Sequence, residues 1–392
     1  MSESRLPPIA WYVHLPFCTS KCGYCDFYSL PTRPEMIESL VSAVCREIAA
    51  RDPRRPVATI FVGGGTPTVL PADALRTILQ AIPGGEAIAR APHALRSEEC
   101  RQSCLEFTVE ANPSSADELK LELLRECGVN RVSFGAQSFQ RDELSVLERL
   151  HDPAHIAEAV SLARQAGFDN VNLDLIFGIP GQTMERWTEN LHRAIDLAPE
   201  HLSCYSLMYE EGTALTKRRR LNLLTPCDEE LEADMYERAI DVLAAAGYEH
   251  YEVSNFARPG RRCRHNMVYW RNAEYVGIGP SAVSYIDGLR TKNVPDVRRY
   301  IDGVLSGAAV VVESERLEPA ARARETAVQM LRLIDGIDLA DFQRRTGFVA
   351  TSMFADQIAR LEAWGHVTVT PDRIGLTRRG LLAANRVLAE FV

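Results

Sequence analysis

Three cysteines, Cys18, Cys22 and Cys25, stand close together near the amino terminus, in the run Phe17-Cys18-Thr19-Ser20-Lys21-Cys22-Gly23-Tyr24-Cys25-Asp26-Phe27. A C-x-x-x-C-x-x-C loop can deliver three thiolates to one compact soft-metal centre, and a cubane iron-sulfur cluster takes a ligand on each of its irons. Three donors leave one iron open. An open iron binds a small molecule through amino and carboxylate groups, which favours chemistry over simple electron transfer. The same residues would also suit a zinc site completed by His14, or inert structural thiols. Zinc sites usually pair cysteines as two C-x-x-C knuckles, and the chain has no second knuckle.

Further residues of chemical interest follow along the chain. Gly63-Gly64-Gly65-Thr66-Pro67 comes directly after the apolar run 57–62. Glycines there let a ligand approach the backbone, and the Gly-Lys-Ser/Thr ending of a phosphate loop is absent. Glu110, Gln137, Arg149 and Asp174 fall at or near the ends of later apolar runs. Singly, each reads as an ordinary solvated or paired group. On one rim they supply acceptors for ribose hydroxyls and an ammonium, plus a guanidinium for a carboxylate. In His265-Asn266-Met267-Val268-Tyr269-Trp270, His265 can ligate iron, Tyr269 and Trp270 offer flat aromatic surface to a macrocycle, and Arg261, Arg262 and Arg264 can meet its propionates. A packed aromatic loop around a hydrogen-bonded histidine fits those residues equally.

The elements that must position these groups alternate. Apolar runs at 9–15, 57–62, 105–110, 129–134, 171–177 and 202–207 read as strands, and the segments between them carry helical spacing, for example at 34–50, 71–82, 116–126, 153–166 and 184–197. Strand and helix in alternation imply parallel pairing by right-handed crossovers, with all strand-end loops on one rim. Six repeats predict a partial (β/α)6 barrel over residues 1–250. Residues 251–314, which hold the His265 motif, are expected to connect or to cover the ligand. Residues 315–392 read as helices followed by a hairpin, a small α+β winged-helix-like domain, most simply a docking module or barrel cover. The stretch 83–104 reads as a loop insertion.

On these motifs the chain resembles radical S-adenosylmethionine (SAM) enzymes, and the resemblance spans nearly its whole length. It implies a [4Fe-4S] cluster on Cys18, Cys22 and Cys25. It assigns Gly64, Gly65 and Thr66 to the methionine end of SAM, with Tyr12 stacking near the same ligand. The spacing of Glu110, Gln137, Arg149 and Asp174 resembles the branch that includes oxygen-independent coproporphyrinogen III dehydrogenase, whose members hold two SAM molecules. Glu110 would then serve the cluster-bound SAM, and Tyr24, Gln137, Arg149 and Asp174 a second one. The dehydrogenase has a fourth cysteine just past the triad, where this chain has Asp26-Phe27, and an amino-terminal extension that is missing here. Cys-Asp-Phe and His265-Asn266-x-x-Tyr269-Trp270 are similar instead to HemW-type radical SAM haem chaperones, which implies haem as a further ligand. Haem-accepting respiratory proteins, an electron donor such as flavodoxin or ferredoxin, and a transient membrane-surface contact are the partners so implied. A coproporphyrinogen dehydrogenase and a radical methyltransferase or cyclopropanase are the alternatives.

Composition sets the remaining bounds. The chain has 392 residues, 46% hydrophobic and 25% charged, enough for a large core without disulfides. A net charge of -9 and a pI near 5.6 argue against a nucleic-acid footprint, despite Lys217-Arg218-Arg219-Arg220. The start lacks an apolar signal core and no stretch is long and apolar enough to span a membrane, so a cytoplasmic protein with reduced thiols is expected.

Overall fold

A computed structural model describes residues 8–51, 55–85 and 105–392. Most of the expected insertion therefore lies outside the described residues. Six parallel strands follow one another in the order expected: β1 (Ile9–Leu15), β2 (Val57–Gly64), β3 (Glu106–Ala111), β4 (Arg131–Gln137), β5 (Val171–Phe177) and β6 (His201–Ser206). Helices α1 (Pro34–Ala50), α2 (Ala72–Ala81), α3 (Glu118–Glu126), α4 (Arg141–Val146), α5 (Ala154–Gln165) and α6 (Met184–Asp196) make the crossovers. Several begin as their sequences direct. Pro34 occupies the first turn of α1, where its missing N–H costs nothing, and the Asp117 side chain accepts from Lys120 N–H to cap α3.

Two faces of each strand do different work. On β1, Trp11, Val13 and Leu15 are buried in the main core with Leu40 and Val44 of α1, while Tyr12 and His14 turn to the other face. That inner face is unusually polar on the later strands: Glu106, Arg131, Ser133, Asn172, His201 and Ser203 are all buried. Asp174 Oδ2 accepts from Ser133 (3.1 Å) and Oδ1 from Asn172 Nδ2 (2.9 Å), and Asn172 Nδ2 also donates to Ser133 (2.7 Å). Asn172 Oδ1 is thereby left to accept, here from His201 Nδ1 at 2.5 Å, and the Tyr251 hydroxyl donates to His201 Nε2 at 2.8 Å.

The segment 251–314, expected to connect or to cover the ligand, is built into the main sheet. It completes the sheet, which has twelve strands in all among the described residues. Glu249–Glu252 (β7) and Asn255–Ala257 (β8) form a hairpin, and β8 pairs antiparallel with β6. On the opposite flank β9 (Tyr275–Ile278) pairs parallel with β1, followed by β10 (Val283–Ile286), β11 (Leu289–Asn293) and the edge strand β12 (Val311–Arg316). The physical reason is burial: Val276 and Ile278 enter the core, and buried Glu47 of α1 fastens the segment by accepting from Gly279 N–H, Asn293 and the Tyr300 hydroxyl. The sheet remains open, ending in β12 at one edge and β7 at the other.

The carboxyl-terminal unit is helical, then sheet, as expected. Pro319–Met330, Leu339–Thr346 and Ala355–Ala363 precede the hairpin of Val367–Val369 with Arg373–Leu376, which Ile337–Asp338 joins as a third strand. Backbone bonds from Val253 N–H to Arg332 O and from Ile334 N–H to Tyr251 O seat it on the β7 edge. No helix among the described residues is long and apolar enough to cross a membrane.

Candidate functional site

The cysteine loop leaves β1 at Pro16. Phe17–Cys18 pairs in parallel with Leu30–Pro31, closing the loop at its base, and Thr32 N–H donates to Cys18 O at 2.8 Å. The far side is held by Leu215 N–H on Gly23 O at 2.7 Å, so α7 (Ala214–Arg220) braces the loop. A cavity of about 410 Å³ opens at the carboxyl ends of the strands, lined by the three cysteines and by Tyr24, Gly64, Gly65, Thr66, Glu110, Gln137, Arg149 and Asp174. Residues spread over some 150 positions of sequence, from Cys18 to Asp174, thus meet on one rim.

Each thiol has its own neighbour. Thr66 Oγ1 donates to Cys18 Sγ (3.6 Å), Arg149 Nη1 to Cys22 Sγ (3.5 Å), and Ser29 Oγ lies 3.9 Å from Cys25 Sγ. Burial pushes the Cys18 and Cys25 thiols up, so the bare loop holds neutral thiols there. Among the described residues no group of three or more His, Cys, Asp or Glu is arranged around a single ion. Three half-buried thiols on one cavity wall, each beside a donor and with a guanidinium among them, fit a cubane, in which every thiolate meets a different iron.

The glycine turn is shaped for close approach. Gly65 N–H donates to Leu15 O and Thr66 N–H to Phe17 O, both at 2.8 Å, which sets β2 against the root of the cysteine loop. A Cβ at Gly65 would fall 2.6 Å from Phe17 O, so no other residue fits the turn without backbone movement. Gly64 N–H is taken by Glu110 Oε2 at 3.0 Å.

Glu110 is held up to a pKa of about 8, first by burial and then by Asp174, against the opposing Gly64 N–H and Arg131. Burial also raises Asp174, although Asn172 and Ser133 donate to it. Glu110 is therefore mostly protonated at pH 7 in the unliganded chain. A cationic or N–H-donating ligand beside it would favour the carboxylate, so binding of such a ligand at pH 7 is expected to release protons. Calorimetry in buffers of different ionisation enthalpy measures this; proton uptake or none would contradict it.

Gln137 sits at a register shift between β4 and β5 with φ of 65°, a conformation costly for a residue with a Cβ. The kink turns its side chain into the cavity. Arg149 Nη2 donates to Gly135 O at 2.6 Å and fixes the guanidinium across the same bulge.

Some expected residues lie elsewhere. Tyr12 is not on the cavity wall: its hydroxyl reaches His14 Nδ1 at 2.9 Å, and His14 Nε2 meets Tyr28 O at 2.8 Å. Since a carbonyl only accepts, Nε2 carries the proton and the Tyr12 hydroxyl donates to Nδ1. His14, with both nitrogens committed, is also no ligand for the zinc alternative. His265 lies in a short helix (Arg264–Trp270), 1% exposed, with Thr59 Oγ1 on Nδ1 and the Tyr269 hydroxyl on Nε2, both at 2.9 Å. Burial drops its pKa to about 3. Both ring nitrogens are hydrogen-bonded, one donating and one accepting, so this arrangement leaves no free nitrogen for a haem iron, and the hydrogen-bonded alternative describes it. Arg332 lies over Trp270 at 5.4 Å, while Arg261 pairs with Asp169 and Arg262 with Glu249 and Asp335.

Sequence reading missed the groups behind the cavity, Arg131, Ser133, Ser203 and His201, although polar residues at every second position of β4 to β6 were a visible signal. It also missed Tyr205 and Met208, which line the cavity from β6 and the turn after it.

Comparison with known proteins follows the same lines. The Radical SAM superfamily profile matches residues 12–194, and the HemN C-terminal domain profile matches residues 317–383. The chain is 34% identical over 399 residues to the "Heme chaperone HemW" of Escherichia coli (strain K12), covering 99% of each chain. It is 33% identical to the proteins of that name from Bacillus subtilis (strain 168), over 97% of this chain and 98% of that one, and from Lactococcus lactis subsp. lactis (strain IL1403), over 98% and 97%. Among solved structures, coproporphyrinogen III oxidase (HemN) from Escherichia coli superposes with a TM-score of 0.80 at 24% identity, over 98% of this chain and 90% of that one. That likeness is one of fold.

Proposed function

The chain belongs to the radical SAM family of the haem chaperone HemW, and from that premise we propose that it binds a [4Fe-4S] cluster, SAM and haem, and delivers haem to respiratory haem proteins. The observation that carries this is the single cavity on which the cysteine triad and the polar residues of four strand ends converge. Cys18, Cys22 and Cys25 hold the cluster, and Arg149, donating to Cys22 Sγ, offsets its negative charge. Such a cluster, when reduced, supplies the single electron that radical SAM chemistry requires.

The rest is the work of the protein's own side chains. Gly64, Gly65 and Thr66 let the methionine end of SAM approach the backbone, and Glu110, on ionising, accepts an N–H of its amino group. Asp174, already oriented by Ser133 and Asn172, takes ribose hydroxyls. Tyr24, Gln137 and Arg149, with Asp174, form the wall available to a second SAM. Flavodoxin or ferredoxin would provide the electron, and haem-accepting partners would be met at a membrane surface.

The test is anaerobic reconstitution followed by separate titrations with haem and with coproporphyrinogen III. Tight haem binding with no oxidative decarboxylation supports the chaperone. Decarboxylation under the same conditions would select the dehydrogenase, and absence of haem binding would end the proposal.

A further inference from the structure

The cavity is polar inside and apolar at its lip. Of its lining residues, Phe27 is 61% exposed, Leu150 74% and Met208 54%, although they come from three separate segments: the cysteine loop, the turn after α4 and the turn after β6. Large apolar side chains left in water around one opening mark a surface that receives an apolar partner. Ile176 and Leu207, which also line the cavity, belong to a second buried apolar cluster with Leu147, Ile179 and Leu215.

Resting on the haem-binding reading above, we infer that this lip is the seat of the carried haem, with the macrocycle lying across Phe27, Leu150 and Met208 and capping the SAM cavity. Three features of the site choose this occupant. Size is the first, because a cavity of about 410 Å³ that already takes the cluster and SAM leaves no room for a macrocycle inside, so it is received at the opening. Shape is the second, since an aromatic ring flanked by an aliphatic and a thioether side chain suits a flat apolar face. Charge is the third. Exposed Lys21, whose Nζ bonds to Phe27 O at 3.3 Å, adjoins the lip, and α7, tied to the cysteine loop through Gly23, carries Lys217 and Arg219 beside Arg218 and Arg220, which pair with Glu148 and Glu211. Asp26 and Glu210 also line the opening, so the propionates of a bound haem point towards Lys21 and α7 and away from these two carboxylates.

The seat has a consequence for order. Haem on the lip blocks exchange of SAM beneath it, so SAM enters first and haem traps it.

The experiment uses the full chain with its cluster reconstituted anaerobically. Haem is titrated by its Soret band into wild type, Phe27→Asp and Leu150→Asp, with Leu119→Asp, 75% exposed on α3, as the control. Iron and sulfide contents report whether each variant keeps its cluster, and the milder Phe27→Ser and Leu150→Ser replace any that does not. Haem affinity is expected to fall about tenfold to a hundredfold in the lip variants and to stay unchanged in Leu119→Asp. Labelled SAM bound beforehand should leave the haem-loaded wild type at least about tenfold more slowly than the haem-free protein. Lip variants with wild-type haem affinity, or SAM exchange indifferent to haem, would overturn the seat while leaving haem binding standing. A wild type that takes up no haem would remove the chaperone reading and the seat with it.

Discussion

Cys22→Ala, purified and reconstituted without oxygen, should retain the fold and lose the cluster: iron and acid-labile sulfide fall from about four of each per chain to background, and SAM affinity drops by about a hundredfold or more. Little packing is at stake, because Cys22 is half-buried on the cavity wall and its sulfur takes only a long bond from Arg149. What disappears is one of three donors to the cubane, and with it the open iron that would anchor the amino and carboxylate groups of SAM. Cys18→Ala and Cys25→Ala should behave alike. Cys45→Ala is the matched control, since Cys45 lies on α1 beside Thr77 and away from the loop. Full iron and sulfide in Cys22→Ala, or their loss in Cys45→Ala, would contradict the assignment.

How much of this was legible in the chain depends on where each signal resides. The cysteine loop, the glycine turn and the strand-end polar residues are local patterns, and parallel topology collects them on one rim without further information. The six strands were readable because their apolar runs are short and bounded. The seventh parallel strand, Tyr275–Ile278, was not, because Gly277 and the Gly279-Pro280 pair that follows carry the composition of a turn. Its place beside β1 is set by Glu47, distant in sequence, which no periodicity reveals. The His265 motif was ambiguous for a related reason. A histidine and two aromatics describe a haem pocket and a packed core equally, and only the partners Thr59 and Tyr269 distinguish them. Gln137 is a third case, because a left-handed backbone at a bulge has no sequence mark outside glycine and asparagine.

Arg131→Met is expected to destabilise the unliganded protein by about 1–3 kcal/mol, since it removes a buried cation whose field offsets nearby buried carboxylates although no ion pair among the described residues ties it to them. Arg131 is 2% exposed at the floor of the inner face, and its field reaches Glu106, Asp174 and Glu110. Without it, Glu106 keeps its backbone donors, Arg264 N–H and His265 N–H, but no buried cation stands opposite. The effect must grow with pH. Glu110 has a folded pKa of about 8, above its value in the unfolded chain, so the stability tied to its protonated form is complete below about pH 4.5 and is lost as pH rises through 8. Arg131 opposes that loss by favouring the carboxylate, and methionine cannot. The difference in thermal midpoint between wild type and Arg131→Met should therefore be wider at pH 8 than at pH 6. A gap that stays constant or narrows with rising pH would show that Arg131 acts through packing alone, and equal midpoints at both pH values would show that it does not anchor the inner face at all.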